Sequence, residues 1–144
     1  MPPLDTSEFT RSRGFDALYG LEIVELTAEL VVGRFEVRPA LLQPFGLLHG
    51  GVYAAAAESL ASHGAGFAAL QEGKVAMGMS NLTSFLRPAT EGTISVRATR
   101  RHHGRTSAVW DVDSTDAAGR LCATSRVTIA IREPPAGVDL TRVG

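Results

Sequence analysis

The stretch from about Gly51 to Leu70, GVYAAAAESLASHGAGFAAL, limits most sharply what this chain can fold into. It is too long for a strand and rich in alanine, the best helix former. Alanine on almost every face leaves no polar side to meet water, so this helix is expected to be surrounded by the rest of the chain. Gly64 and Gly66 lie near its C-terminal end, where glycine weakens a helix or lets another backbone approach closely. A single carboxylate, Glu58, stands in the middle of it, with Ser62 one turn further on.

What surrounds such a helix is written on either side of it. Before it, LEIVEL and ELVVGRFEVRP alternate as strands do, with Val31, Gly33, Phe35 and Val37 on one face. After Gly73 come four more strand-like runs. Val75, Met77 and Met79 alternate in the first, Ile94, Val96 and Ala98 in the second, and Ala108, Trp110 and Val112 in the third. Leu121, Ala123, Val127 and Ile129 follow the same period in the fourth. Turn-forming residues join them at Pro88 to Gly92, His103-Gly104 and Asp116 to Gly119. The order is two strands, one long helix and four strands joined by short turns. Short turns imply an antiparallel meander, and one buried helix against one antiparallel sheet is an α+β arrangement. Residues 1–20 read as an N-terminal extension with a short helix over Ser7 to Tyr19, and 133–144 as a loose tail.

At 144 residues the chain has the size of a single domain, 1–144, with enough length for one core. A formal net charge of -1 gives no pointer to nucleic acid or to a membrane surface. The one cysteine, Cys122, excludes an intrachain disulfide and a cysteine-based metal cluster. Four histidines without ligand spacing make no zinc site, and no metal or redox cofactor is expected. There is no nucleophile elbow and no phosphate-binding loop. The N-terminal residues lack the basic start and apolar core of a signal peptide, and no apolar run approaches the roughly 18 residues that cross a bilayer. A cytoplasmic setting is expected.

Just ahead of the helix, QPFGLLHGG runs into VYAAAAES. Gln, His-Gly-Gly, then Glu and Ser at these offsets closely resemble the signature of hotdog-fold acyl-CoA thioesterases. The branch most alike holds the 4-hydroxybenzoyl-CoA and 1,4-dihydroxy-2-naphthoyl-CoA thioesterases, near the phenylacetate-pathway enzymes. The similarity runs from about Gly14 to Ile131, including LRPATEG, HHGRTS and GRLCATSRVTIAI. It implies a hotdog fold, an antiparallel sheet wrapped around one long central helix, and hydrolysis of an acyl-CoA to acid and CoA.

The resemblance also gives roles to residues. The carboxylate at Glu58 becomes the nucleophile or the general base that activates water, and burial of an unpaired charge among alanines agrees with a task for it. The backbone amide of Gly50, at the positive end of the helix, becomes the donor to the developing oxyanion. Gln43 and His49 help to position the thioester. Ser62, four residues from Glu58 and on the same face, holds the attacking water, bonds the carboxylate, or bonds back to its own backbone. His63 is about 100° further round the helix and has no part in the chemistry on this reading.

Helix geometry adds a condition. Gly50 and Glu58 are eight positions apart, about 12 Å of axial rise, beyond the reach of a Glu side chain. A two-fold partner with its helix antiparallel brings Glu58 of one chain to Gly50 of the other, so a homodimer with two shared sites is expected. Relatives are often homotetramers built from such dimers.

Coenzyme A carries a pyrophosphate and a ribose phosphate, which suit arginine. The resemblance puts two segments along the CoA channel. One is Phe85, Leu86, Arg87 and Pro88, with Gly78 upstream. The other is His102, His103, Gly104, Arg105, Thr106 and Ser107, flanked by Arg100 and Arg101. Charges at strand ends also protect sheet edges without binding anything. The acyl group implied is aromatic or arylacetyl, with Phe45, Tyr53, Phe67 and Met77 to Met79 as pocket or core. Two other readings stay open: a hotdog module that binds acyl-CoA without turning it over, and a hydratase or dehydratase, which fits a Glu on the helix poorly.

Overall fold

The computed structural model describes residues 6–140. Its long helix, α3 (Gly50–Gln71), lies against one sheet of six antiparallel strands. In chain order these are β1 (Glu22–Leu26), β2 (Leu30–Glu36), β3 (Val75–Phe85), β4 (Thr93–His103), β5 (Ser107–Thr115) and β6 (Leu121–Arg132). Two short helices precede them, α1 (Thr6–Thr10) and α2 (Gly14–Tyr19), in place of the single helix expected over Ser7 to Tyr19. The helix is interrupted between them and restarts at Gly14, which has a positive φ of 54°. Residues beyond β6 carry no further strand as far as 140, and the remainder of the expected tail lies outside the described residues. No helix among the described residues is long and apolar enough to cross a membrane.

Helix α3 contacts all six strands. A flat sheet of six strands is about 24 Å across and a helix only about 10 Å, so the sheet must curl around the helix. Alternation decided which face turns inward. Val31, Phe35, Ile94, Val96, Ala98, Ala108, Trp110 and Val112 are all buried, as their period of two requires. Small helix residues let the sheet approach: Ala56, Ala57, Ala61, Ala65 and Ala69 are buried among these larger side chains.

Two mid-helix glycines differ in a way that stability measurements will read. A Cβ on Gly64 would lie 2.3 Å from the Trp110 ring, whereas one on Gly66 meets nothing within 4 Å. Gly64→Ala is therefore expected to destabilise the fold by about 1–3 kcal/mol through overpacking. Gly66→Ala is expected to stabilise it by up to about 1 kcal/mol through helix propensity. Denaturant unfolding of the two variants checks the opposite signs.

The sheet order is β1-β2-β4-β5-β6-β3, which corrects the expected four-strand meander. Only β4, β5 and β6 follow one another. Strand β3 pairs with β6 and forms one edge, while β4 pairs with β2 on the far side. The link through Pro88 to Gly92 is therefore a crossover past the end of the helix, and its glycine (φ 84°) serves that turn and not a hairpin. Placement at the edge also corrects the reading of Met77 and Met79 as core residues. They are 54% and 61% exposed, with Leu82 at 74% and Phe85 at 59%. A bulge in the pairing with β6 falls between Gly78 and Ser80 and breaks the alternation there.

Candidate active site

The loop before α3 is tied down by its own backbone. Gln43 N–H donates to Leu47 O at 2.7 Å and Gly46 N–H to Gln43 O at 2.9 Å. The Gln43 side-chain oxygen accepts from the Phe45 N–H. That contact fixes the orientation of the amide: its oxygen is used, and its NH2 group remains as a donor for a ligand.

His49 is the N-cap of α3. Its Nδ1 accepts from Gly51 N–H at 2.8 Å, and its carbonyl accepts from Val52 N–H at 3.0 Å. An accepting Nδ1 puts the proton of the neutral ring on Nε2. The Gly50 N–H, just ahead of these two satisfied amides, has no acceptor among the described residues. The helix thus presents one open donor at its positive end. A Cβ at Gly50 would lie 2.8 Å from the Phe85 ring, so a side chain there would require that ring to move. Gln43, His49 and Gly50 share a cleft of about 550 Å³ with Phe85, Leu86, Arg87 and Pro88. Two groups read separately in the sequence therefore meet. Tyr53 closes one side of the cleft, its ring 6.4 Å from that of Phe85. Its buried hydroxyl has no hydrogen-bond partner among the described residues, and burial pushes its pKa well above the usual phenol range.

Glu58 does not enter this cleft. Its carboxylate lies over Gly78 of β3, 3.4 Å from where a Cβ would be, so Gly78 leaves room for it. The expectation that flanking alanines deny Glu58 a solvated face is corrected: within one chain Glu58 is exposed. The sheet covers the other sides of α3 and leaves one strip open. Along it run Gly51, Ala54, Ala55, Glu58, Ser59 and Ser62, which line a second pocket together with His63 and Phe15. Asn81 of the edge strand borders the strip, its Nδ2 donating to Ala54 O at 2.9 Å. Ser62 is half-buried, and its hydroxyl makes no hydrogen bond among the described residues, to its own backbone or otherwise.

The second expected CoA segment is far from the first within one chain. Gly50 and Phe85 mark one end of α3, whereas the turn from His102 to Ser107 lies near its other end, about 33 Å away along a helix of 22 residues. There His103 Nε2 is 2.9 Å from Glu72 Oε1, and this hydrogen bond holds the Glu72 carboxyl below the usual carboxylate range. His103 thus fastens the end of the helix to the sheet. Gly104 and Ser107 close the turn (N–H to O, 2.8 Å), and the carbonyl of Thr106 accepts from Arg132 at 2.8 Å. Arg100 is paired with Glu29 at 2.9 Å, and Arg101 lies 3.9 Å from Asp111. Arg87, His102 and Arg105 form no ion pair among the described residues.

Sequence reasoning missed the N-terminal arm. Asp16 accepts from Ser59 Oγ at 2.6 Å and from the Tyr19 hydroxyl at 2.9 Å, and this fastens α2 beside Glu58. Phe15, 66% exposed, lines the Glu58 pocket and also a pocket with His49 and Gly51. The Asp16–Ser59 bond spans 43 residues of sequence, and nothing in the local pattern announces it.

One long helix wrapped by a six-stranded antiparallel sheet, with an open amide at its N-terminus and a carboxylate on an uncovered strip, defines the class of hotdog-fold thioester hydrolases. The chain belongs to the thioesterase superfamily, whose family model matches residues 45–123. It is 36% identical to the proofreading thioesterase EntH of Cronobacter turicensis over 78% of this chain and 81% of that protein. It is 32% identical to the 1,4-dihydroxy-2-naphthoyl-CoA hydrolase of Listeria monocytogenes, over 83% of this chain and 97% of the other. A solved thioesterase of Haemophilus influenzae superposes with a TM-score of 0.81 at 31% identity, over 88% of this chain and 89% of that one.

Proposed function

We propose that the protein hydrolyses an acyl-CoA thioester, with an aromatic or arylacetyl acyl group, at two sites shared across a homodimer. The observation that carries this reading is the separation of its two halves. The open Gly50 amide and the free NH2 of Gln43 lie in one cleft with Arg87 and Pro88, and Glu58 lies outside it on the open strip. The thioester oxygen accepts from Gly50 N–H and Gln43 Nε2. Each such donor is typically worth roughly 3–4 kcal/mol once the oxygen becomes an oxyanion. Glu58 of the second copy then attacks the carbonyl carbon, the C–S bond breaks and CoA leaves as thiolate. Water hydrolyses the resulting anhydride and regenerates the carboxylate. In the other form of the mechanism, Glu58 takes a proton from water, which attacks directly.

The same numbers support a position for the second copy. Midway between positions 50 and 58 is Ala54, a small residue on the open strip. A two-fold axis near Ala54 sets the helices antiparallel and brings the exposed edges of β3 together. Unpaired N–H and C=O groups and the apolar side chains at Met77, Met79, Leu82 and Phe85 are what an edge needs to pair with its own copy. The same operation carries the partner's turn from His102 to Ser107 toward the Phe85–Pro88 end, where Arg105 and Arg87 would flank the CoA phosphates. The named activities of the Listeria and Cronobacter relatives support a thioester substrate and, in the first, an aromatic acyl-CoA.

Thiol release from a panel of aromatic and aliphatic acyl-CoAs tests the reading. Turnover fastest on aryl or arylacetyl esters is the expected result. Binding of CoA esters with no thiol released from any of them would replace the enzyme with a binding module.

A further inference from the structure

We infer that Asn81 is a positioning residue for the hydrolysis: its hydrogen bond to the Ala54 carbonyl sets where Glu58 stands relative to the oxyanion donor of the second copy. The inference rests on the shared-site reading above and deepens it. Strand β3 meets α3 at three places. Gly78 lies beneath the Glu58 carboxylate, Asn81 reaches Ala54, and the Phe85 ring covers Gly50. The middle contact is the only side-chain hydrogen bond from the sheet to the backbone of α3 among the described residues. Ala54 O is also the acceptor of the Glu58 N–H in the helix ladder. The bond therefore grips the turn on which Glu58 stands.

That contact ends a chain whose direction the donors fix. A carbonyl oxygen only accepts, so Asn81 Nδ2 faces Ala54, at 2.9 Å, and Oδ1 is turned to Thr83. Thr83 Oγ1 donates to Oδ1 at 2.8 Å, which uses its one proton. Ser125 Oγ, 2.8 Å from Thr83 Oγ1 and directly opposite it in the sheet, is then the donor to it. Ser125 is buried in β6, so the chain runs from an interior strand through the edge strand to the helix. Asn81 and Thr83 take half-buried places on the helix side of β3, where β4 and β5 carry Ile94, Val96, Trp110 and Val112. A polar chain in such a place adds little net stability over apolar side chains, but it holds one geometry. Short side chains at Ala56, Ala57 and Ala61, around Glu58, let the sheet come close but resist a slide along the helix axis less than larger ones. The two-fold arrangement doubles any such slide. With the copies joined at their β3 edges and the helices antiparallel, a shift of about 0.5 Å in each helix moves Glu58 about 1 Å relative to Gly50 of the second copy. An error of that size is enough to cost about a hundredfold in rate.

The test is Asn81→Leu, which removes the bond at nearly the same side-chain size, assayed for thiol release alone and in the Glu58→Ala background. Alone, it is expected to lower kcat about ten- to a hundredfold with KM within about twofold, while light scattering still shows a dimer. In the Glu58→Ala background the same change is expected to alter the residual rate by less than about twofold, because a residue that acts by placing Glu58 has nothing left to place. Thr83→Val breaks the chain one link earlier and is expected to lower kcat by less, with the same dependence on Glu58. It carries the test should Asn81→Leu fail to fold. Losses that multiply in the double variant, a loss that comes with dissociation of the dimer, or an unchanged kcat would each overturn the inference and leave the thioesterase reading in place. A native protein that releases thiol from no ester would overturn that reading and the inference with it.

Discussion

Glu58→Ala is expected to lower thiol release at least about a hundredfold while leaving stability within about 0.5 kcal/mol of the native protein. The two halves of that expectation come from one observation. Glu58 is exposed, and no hydrogen bond or ion pair within the described residues depends on it. Its nearest feature is the space above Gly78. A surface carboxylate with no structural partner can be removed at almost no cost to folding, so any large loss of rate must come from chemistry. Steady-state kinetics and denaturant unfolding on the same preparation separate the two. A rate within tenfold of native would remove Glu58 from the mechanism.

The second large effect is expected at the sheet edge. Leu82→Lys puts a charge on β3 at its most exposed apolar position, 74% exposed in the single chain. Within one chain that side chain faces solvent, so the fold should tolerate lysine there. Between two edges it is buried beside its own symmetry mate, where like charges repel. The expected result is a folded monomer by light scattering, with native far-ultraviolet dichroism and thiol release reduced at least about a hundredfold. A dimer with native activity would show that the copies meet elsewhere.

Much of the fold was legible because alternation has a direct physical meaning. Val31 to Phe35, Ile94 to Ala98 and Ala108 to Val112 all turned inward as their spacing required. The partner of β3 was not legible. The turn-forming run from Pro88 to Gly92 looks the same in sequence whether it closes a hairpin or crosses the end of a helix. Alanine was ambiguous for a related reason. It is equally at home under a sheet and on a surface awaiting a second copy, so the strip around Glu58 could not be told from the buried faces of α3. For the site, the Gln43, His49 and Gly50 group was legible because a capping loop is local. The contacts of Phe15, Asp16 and Ser59 were not, since they depend on how α2 folds back. His63, set aside on helical angle, lines a cavity that the N-terminal arm builds beside α3.

Whether the site is shared between two chains is best decided by complementation. Glu58→Ala and Gln43→Ala are each expected to leave roughly a hundredth of the native rate or less, the second by loss of one oxyanion donor. A heterodimer of the two, co-expressed with different tags and purified through both, holds one site with both defects and one with neither. Its expected thiol release is about half that of the native dimer, since one of two isologous sites is intact. A heterodimer as inactive as its two parents would contradict the shared site and put Glu58 and Gln43 to work within one chain.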